Sequence, residues 1–360
     1  MATLDTATIN HSVDLERAAL GISKGVKPSL DNIADYVRLV LARYQEESGD
    51  KIKTIKDRDA LIKDILTYMN GQLLPWSNEM TEQLDEMVAQ EIKFDNAVLR
   101  NATGASLNVP TFDAAMLAIT QKPLVLNNTA ISWNDYIGDY TPKQLDAVKK
   151  AIIAGWADGL TTTQISRQIV GTKTIKGIIP ASYRSAQMMV KDLTSHQSSM
   201  VKAEFGKKNN DVVVGEKMIV TLDSHTSPQC QKIGSQDNGG KEYYYATDGY
   251  NFPRPGFHRF CRTTARFILA PEYEQTAIKR TRPAVVNGKA IQVDENTNWL
   301  DFAKAYPSVA ETALGKTRAK LIDTMSADEF RKAAYNTLNE PLTLDEMAAK
   351  SKKIARELKP

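Results

Sequence analysis

An α+β fold is what this 360-residue sequence predicts: a mainly helical N-terminal region with long capped helices, a small antiparallel-sheet module carrying a long loop, and a helical C-terminal tail. Three observations predict it. Before Gly206, apolar residues recur at three- and four-residue intervals, the period of one buried helix face. After Gly206, Met218, Val220 and Leu222 alternate with Lys217, Ile219 and Thr221, which suits a strand with one face more buried. From Asn298 onward, helical spacing and capping pairs return.

Taken in order, residues 1–28 are polar and without sustained period, and read as a flexible arm. Residues 29–140 read as a helical N-terminal domain. One stripe runs through Leu30, Ile33, Val37, Val40, Leu41 and Tyr44, a second through Leu61, Ile65, Leu66, Met69 and Leu73, and a third through Met80, Leu84, Met87, Val88 and Ile92. Such stripes are the material of a core. Between 101 and 140, Gly104, Pro110, Pro123, an Asn-Asn pair and Gly138 are turn chemistry with room for short strands.

A long-helix region follows over 141–206. Thr141-Pro142-Lys143-Gln144 has a capping hydroxyl, proline at the first helical position and Gln three after the cap. Thr161 and Gln164 repeat the pattern for a short helix stopping near Gly171. Pro180 precedes a long helix, Ala181 to Phe205, with Gly206 placed to end it. Residues 207–297 form the α+β module, with a second strand over Thr264 to Leu269 and about forty intervening residues dense in Gly, Pro, Asp, Asn and Tyr. A loop of that length inside a compact domain is usually functional or pinned. Residues 298–360 are the tail, where Ser326 with Glu329 and Thr343 with Glu346 are capping boxes.

Composition narrows the class. Forty-six basic residues against 43 acidic ones leave a net charge of +3, which argues against a chain coated for nucleic acid while permitting local basic patches. Two cysteines are too few for a disulfide framework, so folding in a reducing cytoplasm is expected. The N-terminus lacks the basic and apolar regions of a signal peptide, and no window is apolar enough for a transmembrane helix, so no membrane partner is expected.

Both cysteines and two of the four histidines fall in residues 223–262. The segment begins Asp223-Ser-His225-Thr226-Ser-Pro228-Gln-Cys230 and ends Pro255-Gly-Phe-His258-Arg-Phe-Cys261-Arg262. His258 and Cys261, three apart, can reach one ion from a tight turn, and Cys230 can add a third ligand. A structural zinc wants four N or S ligands in a tetrahedron, so His225 or Asp223 has to supply the fourth. Three readings stay open: a structural pin (a metal, or a Cys230–Cys261 bridge), two inert buried thiols beside a capping histidine, and a catalytic metal or cysteine. A nucleophilic pair would need an orienting third group and an oxyanion site, and nothing in the sequence singles those out.

The run TLDSHTSPQC followed by PGFHRFCR resembles the hallmark of the Mu F-like minor head (head morphogenesis) proteins of tailed phages. That family carries an Asp-x-x-Thr-x-x-x-Cys element and then a Pro-containing His-x-x-Cys-Arg element. Asp223, Thr226, Cys230, Pro255, His258, Cys261 and Arg262 stand at the matching positions. LGKTRAKL (Leu314 to Leu321) and LTLDEM (Leu342 to Met347), with Trp299 and Tyr306 before them, are similar to the segments that close such domains. The resemblance covers Ser182 to the C-terminus. The chain departs at Thr263, where members often carry a further cysteine, and at Asp192–His196, where they often carry an Arg-Thr-Glu run.

The resemblance implies a non-enzymatic minor structural protein of the phage head interior, present in the host cytoplasm during assembly. It implies the portal protein and the major capsid or scaffolding protein as partners, and a role in head assembly and genome delivery. The metal ligands would be Cys230, His258, Cys261 and Asp223 around one structural zinc, with no catalytic residue. Packaged DNA is a further contact, through Lys350, Lys352, Lys353, Arg356 and Lys359, whose plainer reading is a solvated helix face. Two rivals are a DNA-binding ejection protein and a toxin-type enzyme. For the second, Glu272-Tyr273-Glu274 has the Glu-x-Glu form of ADP-ribosyltransferases without their Ser-Thr-Ser strand, and a His-Asn-His nuclease needs more histidines near the metal than His225 and His258.

Overall fold

The structure is a computed structural model that describes residues 4–235, 254–273, 281–337 and 340–358. It has the α+β architecture expected, mainly helical, with three separate two-stranded antiparallel ribbons. Among the described residues, no helix is long and apolar enough to cross a membrane.

The helical body opens with α1 (Leu4–Lys24) and α2 (Val26–Ser48), separated only by Gly25. A Cβ at Gly25 would come within 3.4 Å of the Trp76 indole, so the join lies tight against α3 (Ile55–Thr103). The expected arm at 1–28 is thus corrected to a 21-residue helix. Its docking face mixes polar residues with Ala19 and the partly buried Leu4, Leu15 and Ile22, which weakens the apolar period. Asp5, Thr8 and Ser23 are buried, ion pairs of 2.5 Å join Asp5 to Arg266 and Glu16 to Lys191, and a hydrogen bond of 2.5 Å joins His11 to Glu91.

The second and third apolar stripes belong to the single 49-residue helix α3, which is capped by Thr54 and runs through Pro75. At a rise of 1.5 Å per residue it is roughly 74 Å long. The turn-rich stretch after it holds α4 (Phe112–Gln121), β1 (Leu124–Leu126), β2 (Thr129–Ile131) and α5 (Trp133–Gly138). Asn127 and Asn128 both take positive φ at the β1–β2 turn, the geometry of a two-residue hairpin.

Next come α6 (Tyr140–Ala157), α7 (Thr162–Val170) and α8 (Ile178–Lys208). The Thr161–Gln164 capping box forms, and Gly171 ends α7. The box expected at Thr141 does not form: α6 starts two residues earlier, from Asp139, with no side-chain cap. Gly206 lies inside α8, which ends at Asn209 instead; the Asn209 side chain bonds the Phe205 carbonyl and the Asn108 backbone. One apolar core encloses α1 to α8 together, so the regions expected as 29–140 and 141–206 share a core.

Beyond α8, β3 (Val213–Ile219) pairs in antiparallel register with β4 (Thr264–Leu269), Ile219 opposite Thr264. Between them sits the short helix α9 (Pro228–Ile233). Then follow β5 (Thr281–Val286) and β6 (Lys289–Asp294), turned by Asn287-Gly288 at positive φ. The tail is α10 (Trp299–Ala305), α11 (Pro307–Leu314), α12 (Lys316–Asp323), α13 (Ala327–Ala334), α14 (Leu344–Lys350) and α15 (Lys352–Glu357). Both expected capping boxes, at Ser326 and Thr343, are present.

A second core gathers Met218, Val220, Leu222, Cys230, Phe257 and Cys261 with Trp299, Phe302, Phe330 and Met347 of the tail. The β3–β4 ribbon ties the two cores together. Val213, Phe267 and Leu269 at one end belong to the helical core, and Met218 at the other belongs to the second.

Candidate metal centre

The centre is assembled from two short pieces of backbone that leave the same end of the β3–β4 ribbon. After β3 the chain turns through Asp223, whose Oδ1 accepts from the His225 amide at 2.9 Å and the Thr226 hydroxyl at 3.1 Å. Thr226 also donates to the Thr221 carbonyl at 2.5 Å. This polar knot delivers Ser227 as N-cap and Pro228 as first residue of α9, with the Ser227 Oγ accepting from the Cys230 amide. Cys230 therefore sits on the first turn of α9, facing inward.

The second piece is the turn before β4. Cys261 N–H donates to the His258 carbonyl at 3.1 Å, closing the turn. Phe260 takes a left-handed φ of 60°, uncommon for a bulky residue. Two anchors hold it in the helical body. The Asp192 carboxylate on α8 accepts the Phe260 amide at 3.3 Å and the Tyr136 hydroxyl at 2.7 Å, and the Phe257 carbonyl accepts the Asn127 amide of the β1–β2 turn. Burial lifts the Asp192 carboxyl to about 6, against the opposing pull of those two donors.

The two pieces meet side by side. The Cys230 and Cys261 sulfurs are 3.6 Å apart, and His258 Nε2 is 3.0 Å from the Cys230 Sγ. The ligand atoms of Cys230, His258 and Cys261 all lie within 4.8 Å of one another. A tetrahedral zinc with bonds of about 2.3 Å to sulfur and 2.0 Å to nitrogen would place ligand atoms about 3.5–3.8 Å apart; the two sulfurs meet that spacing, His258 Nε2 lies closer to Cys230, and the cluster supplies three of the four donors of such a site. His258 Nδ1 lies 2.9 Å from the Arg259 carbonyl. If Nδ1 carries the proton, Nε2 offers its lone pair to the Ser227 hydroxyl and the Cys230 thiol, and the Nδ1 bond to the carbonyl fixes the ring as it does for a metal-bound histidine.

Charge is distributed in keeping with that geometry. The hydrogen bond between the thiols holds Cys261 well below the ordinary thiol range and lifts Cys230 well above it. Burial works against a charged His258, but the contact with Cys261 outweighs it and raises the imidazole above its ordinary value. Both cysteines are reduced and buried.

Not every expected ligand joins. Asp223 is corrected as a ligand: its two oxygens take Arg262 Nη1 and Nη2 at 2.6 and 2.9 Å, and it is not in the ligand cluster. A carboxylate committed to a guanidinium fork has its lone pairs already engaged. His225 is exposed and lines a small cleft beside Cys230 and His258, outside the cluster. Among the described residues, no fourth His, Cys, Asp or Glu completes the set.

Two contributors escaped the sequence reading. Ser227, 2.6 Å from His258 Nε2, was legible as an N-cap in Ser227-Pro228. Asp192, which anchors the turn, had no local signal, since its partners lie 56 and 68 residues away. The tail closes the site from below. Trp299 Nε1 donates to the Asp223 carbonyl at 3.0 Å, and the Tyr335 hydroxyl to Gln231 of α9 at 2.8 Å. Lys350, Lys352, Lys353 and Arg356 are exposed on α14 and α15, interspersed with exposed Asp345, Glu346 and Glu357. Lys359 and Glu274 lie outside the described residues.

No family model, curated protein or solved structure matches the chain.

Proposed function

We propose that this chain is a non-enzymatic minor structural protein of a tailed-phage head, bound at the portal and capsid interior, with Cys230, His258 and Cys261 holding one structural zinc. One observation carries the reading. The two halves of the Mu F-like hallmark, Asp223 to Cys230 and His258 to Arg262, fold against each other through the Asp223–Arg262 fork and the paired thiols. A pin at that point fixes the junction between the helical body and the α+β module. When bound, zinc would supply a rigid cross-link; the chain's own residues orient the ligands.

The clefts beside the cluster support a structural role. They hold about 40 and 30 Å³, space for a few waters, since one water needs about 10–15 Å³. The helical body offers exposed Leu20, Leu39 and Leu74 to protein partners. The decisive experiment is pull-down of the purified chain with the cognate portal protein and, separately, with capsid and scaffolding proteins. Saturable binding to portal oligomers is the expected result, and no binding to any of them overturns the reading.

The exposed Lys350, Lys352, Lys353 and Arg356 favour one alternative, a DNA-binding ejection protein in which DNA contact is the main activity. Four phosphate contacts would give a slope of about −3.6 in log affinity against log salt. A head protein held by its protein partners should show weak DNA binding without that slope.

A further inference from the structure

The thiol pair has a second chemistry that metal binding does not use. We infer that Cys230 and Cys261 form an oxidisable dithiol, which a peroxide-class two-electron oxidant converts to an intramolecular disulfide with expulsion of any metal held there. The inference concerns the chain alone and does not rest on the head-protein reading.

Three observations carry it. The sulfurs are 3.6 Å apart with no group between them, so a bond of about 2.05 Å requires a closure of only about 1.5 Å. They sit on separate pieces of backbone, Cys230 on the first turn of α9 and Cys261 at the end of a turn entered through Gly256, whose φ is +102° and where an added Cβ would meet nothing within 4 Å. Each cysteine also borders a cleft of its own. Cys261 lines the 40 Å³ cleft with Ser198, Ser199 and Thr263, and Cys230 lines the 30 Å³ cleft with His225 and His258. Either space is large enough for a molecule of two heavy atoms.

The chemistry balances in two steps. The Cys261 thiolate attacks one peroxide oxygen; the O–O bond breaks, a sulfenic acid forms, and the leaving hydroxide takes a proton to become water. The Cys230 sulfur then attacks the sulfenic sulfur, the S–S bond forms, and the displaced hydroxide leaves as water with the Cys230 proton. Two thiols lose two electrons, one peroxide gains them, and two waters result. A disulfide is a poor zinc ligand because thiolates do the binding, so the ion departs as the bond closes. A metal pin across the loop would thereby give way to a covalent link spanning 31 positions.

The test uses the full-length chain, incubated with zinc chloride, desalted and titrated with hydrogen peroxide in the presence of a chromogenic zinc chelator. Non-reducing peptide mapping should find one Cys230–Cys261 link with a mass loss of about 2 Da, reversed by dithiothreitol. Zinc release should track link formation. Thiols that survive excess peroxide in the native chain overturn the inference. So do links between chains, or mass gains of about 32 or 48 Da without a link. In Cys230→Ser the Cys261 sulfenic acid should persist and be trapped by dimedone; if that variant does not fold, the wild-type map decides alone. A chain that binds no zinc yet forms the link upholds this inference and removes the metal from the proposed function.

Discussion

Asp223 and Arg262 meet through two parallel hydrogen bonds of 2.6 and 2.9 Å across 39 residues of chain. The Asp223 side chain is 9% exposed and Arg262 is 32% exposed. The fork therefore joins the start of one motif to the end of the other in partly dry surroundings. Bidentate pairing of this kind fixes orientation as well as charge. It sets how α9 faces the turn that carries His258.

Replacing Arg262 with Ala should leave Asp223 buried without its partner and lower stability by about 2 kcal/mol, below the roughly 3–5 kcal/mol of a fully buried pair because Arg262 reaches solvent. The change also has a pH signature. Burial pushes the Asp223 carboxyl up, but the Arg262 bonds outweigh it and leave it below its ordinary 3.8. A carboxyl lowered in the fold adds stability that is present above about pH 4 and lost as pH falls through the folded value. Urea unfolding at pH 7 and pH 3 should show a smaller difference for the variant than for the parent. An equal difference would remove the fork from the stability of the site.

His258→Ala should reduce bound zinc from about one per chain to near zero, because two thiolates alone hold the ion weakly. Elemental analysis after desalting reads this directly. Limited proteolysis should then cut between 223 and 262 at least several-fold faster. Parent protein without metal, with thiols titratable only after unfolding, would leave two buried cysteines and no centre.

The apolar stripes of α2 and α3 were legible because nearly every residue in them is buried: Leu30, Ile33, Val37, Ile65, Met69, Leu73, Met80 and Leu84 all lie in the core. Capping boxes at Thr161, Ser326 and Thr343 were legible for a similar reason, as each needs only residues three apart. The grouping of Cys230, His258 and Cys261 also followed from the sequence. What stayed hidden depends on distant partners. Helix α1 docks by ion pairs such as Glu16–Lys191, 175 residues apart, which leave no periodic trace. The fate of Asp223 was decided by Arg262, which a spacing rule for metal ligands does not weigh. The β5–β6 hairpin had a readable signal, Asn287-Gly288 between apolar runs, that the reading passed over.

Lys202 and Asp95 form a buried ion pair of 2.5 Å between α8 and α3, with side chains 4% and 0% exposed. Lys202→Met should cost about 3 kcal/mol by leaving an unpaired buried carboxylate, whereas Lys202→Met with Asp95→Leu should recover much of it. Burial raises Asp95 to about 6 from 3.8. The fold thus binds the proton more tightly than the unfolded chain, and the cost of the charged form is full above pH 6 and fades toward pH 4. Asp95→Asn should flatten the stability curve across that window, as measured by thermal unfolding at half-unit steps. An unchanged slope would mean that other groups set it.

Gly234 closes α9 with a φ of −71°, a conformation any residue adopts, so its reason for being glycine is space. A Cβ there would lie 2.3 and 2.5 Å from the two γ-carbons of Val220, which is 1% exposed. Val220 cannot yield easily, because its carbonyl accepts from the buried Arg282 guanidinium and its side chain is packed in the second core. Gly234→Ala must therefore push α9 outward and move Cys230 away from Cys261 and His258. The expected cost is about 2 kcal/mol, the middle of the range for overpacking, together with weaker zinc retention. Val220→Ala removes the two nearest clashing carbons, leaving only the Cβ contact at 2.9 Å, and costs stability alone through the cavity it leaves. The double variant should be more stable than the sum of the single losses by about 1 kcal/mol. Strict additivity in urea midpoints, with zinc content unchanged in Gly234→Ala, would show that α9 does not depend on Val220 for its position.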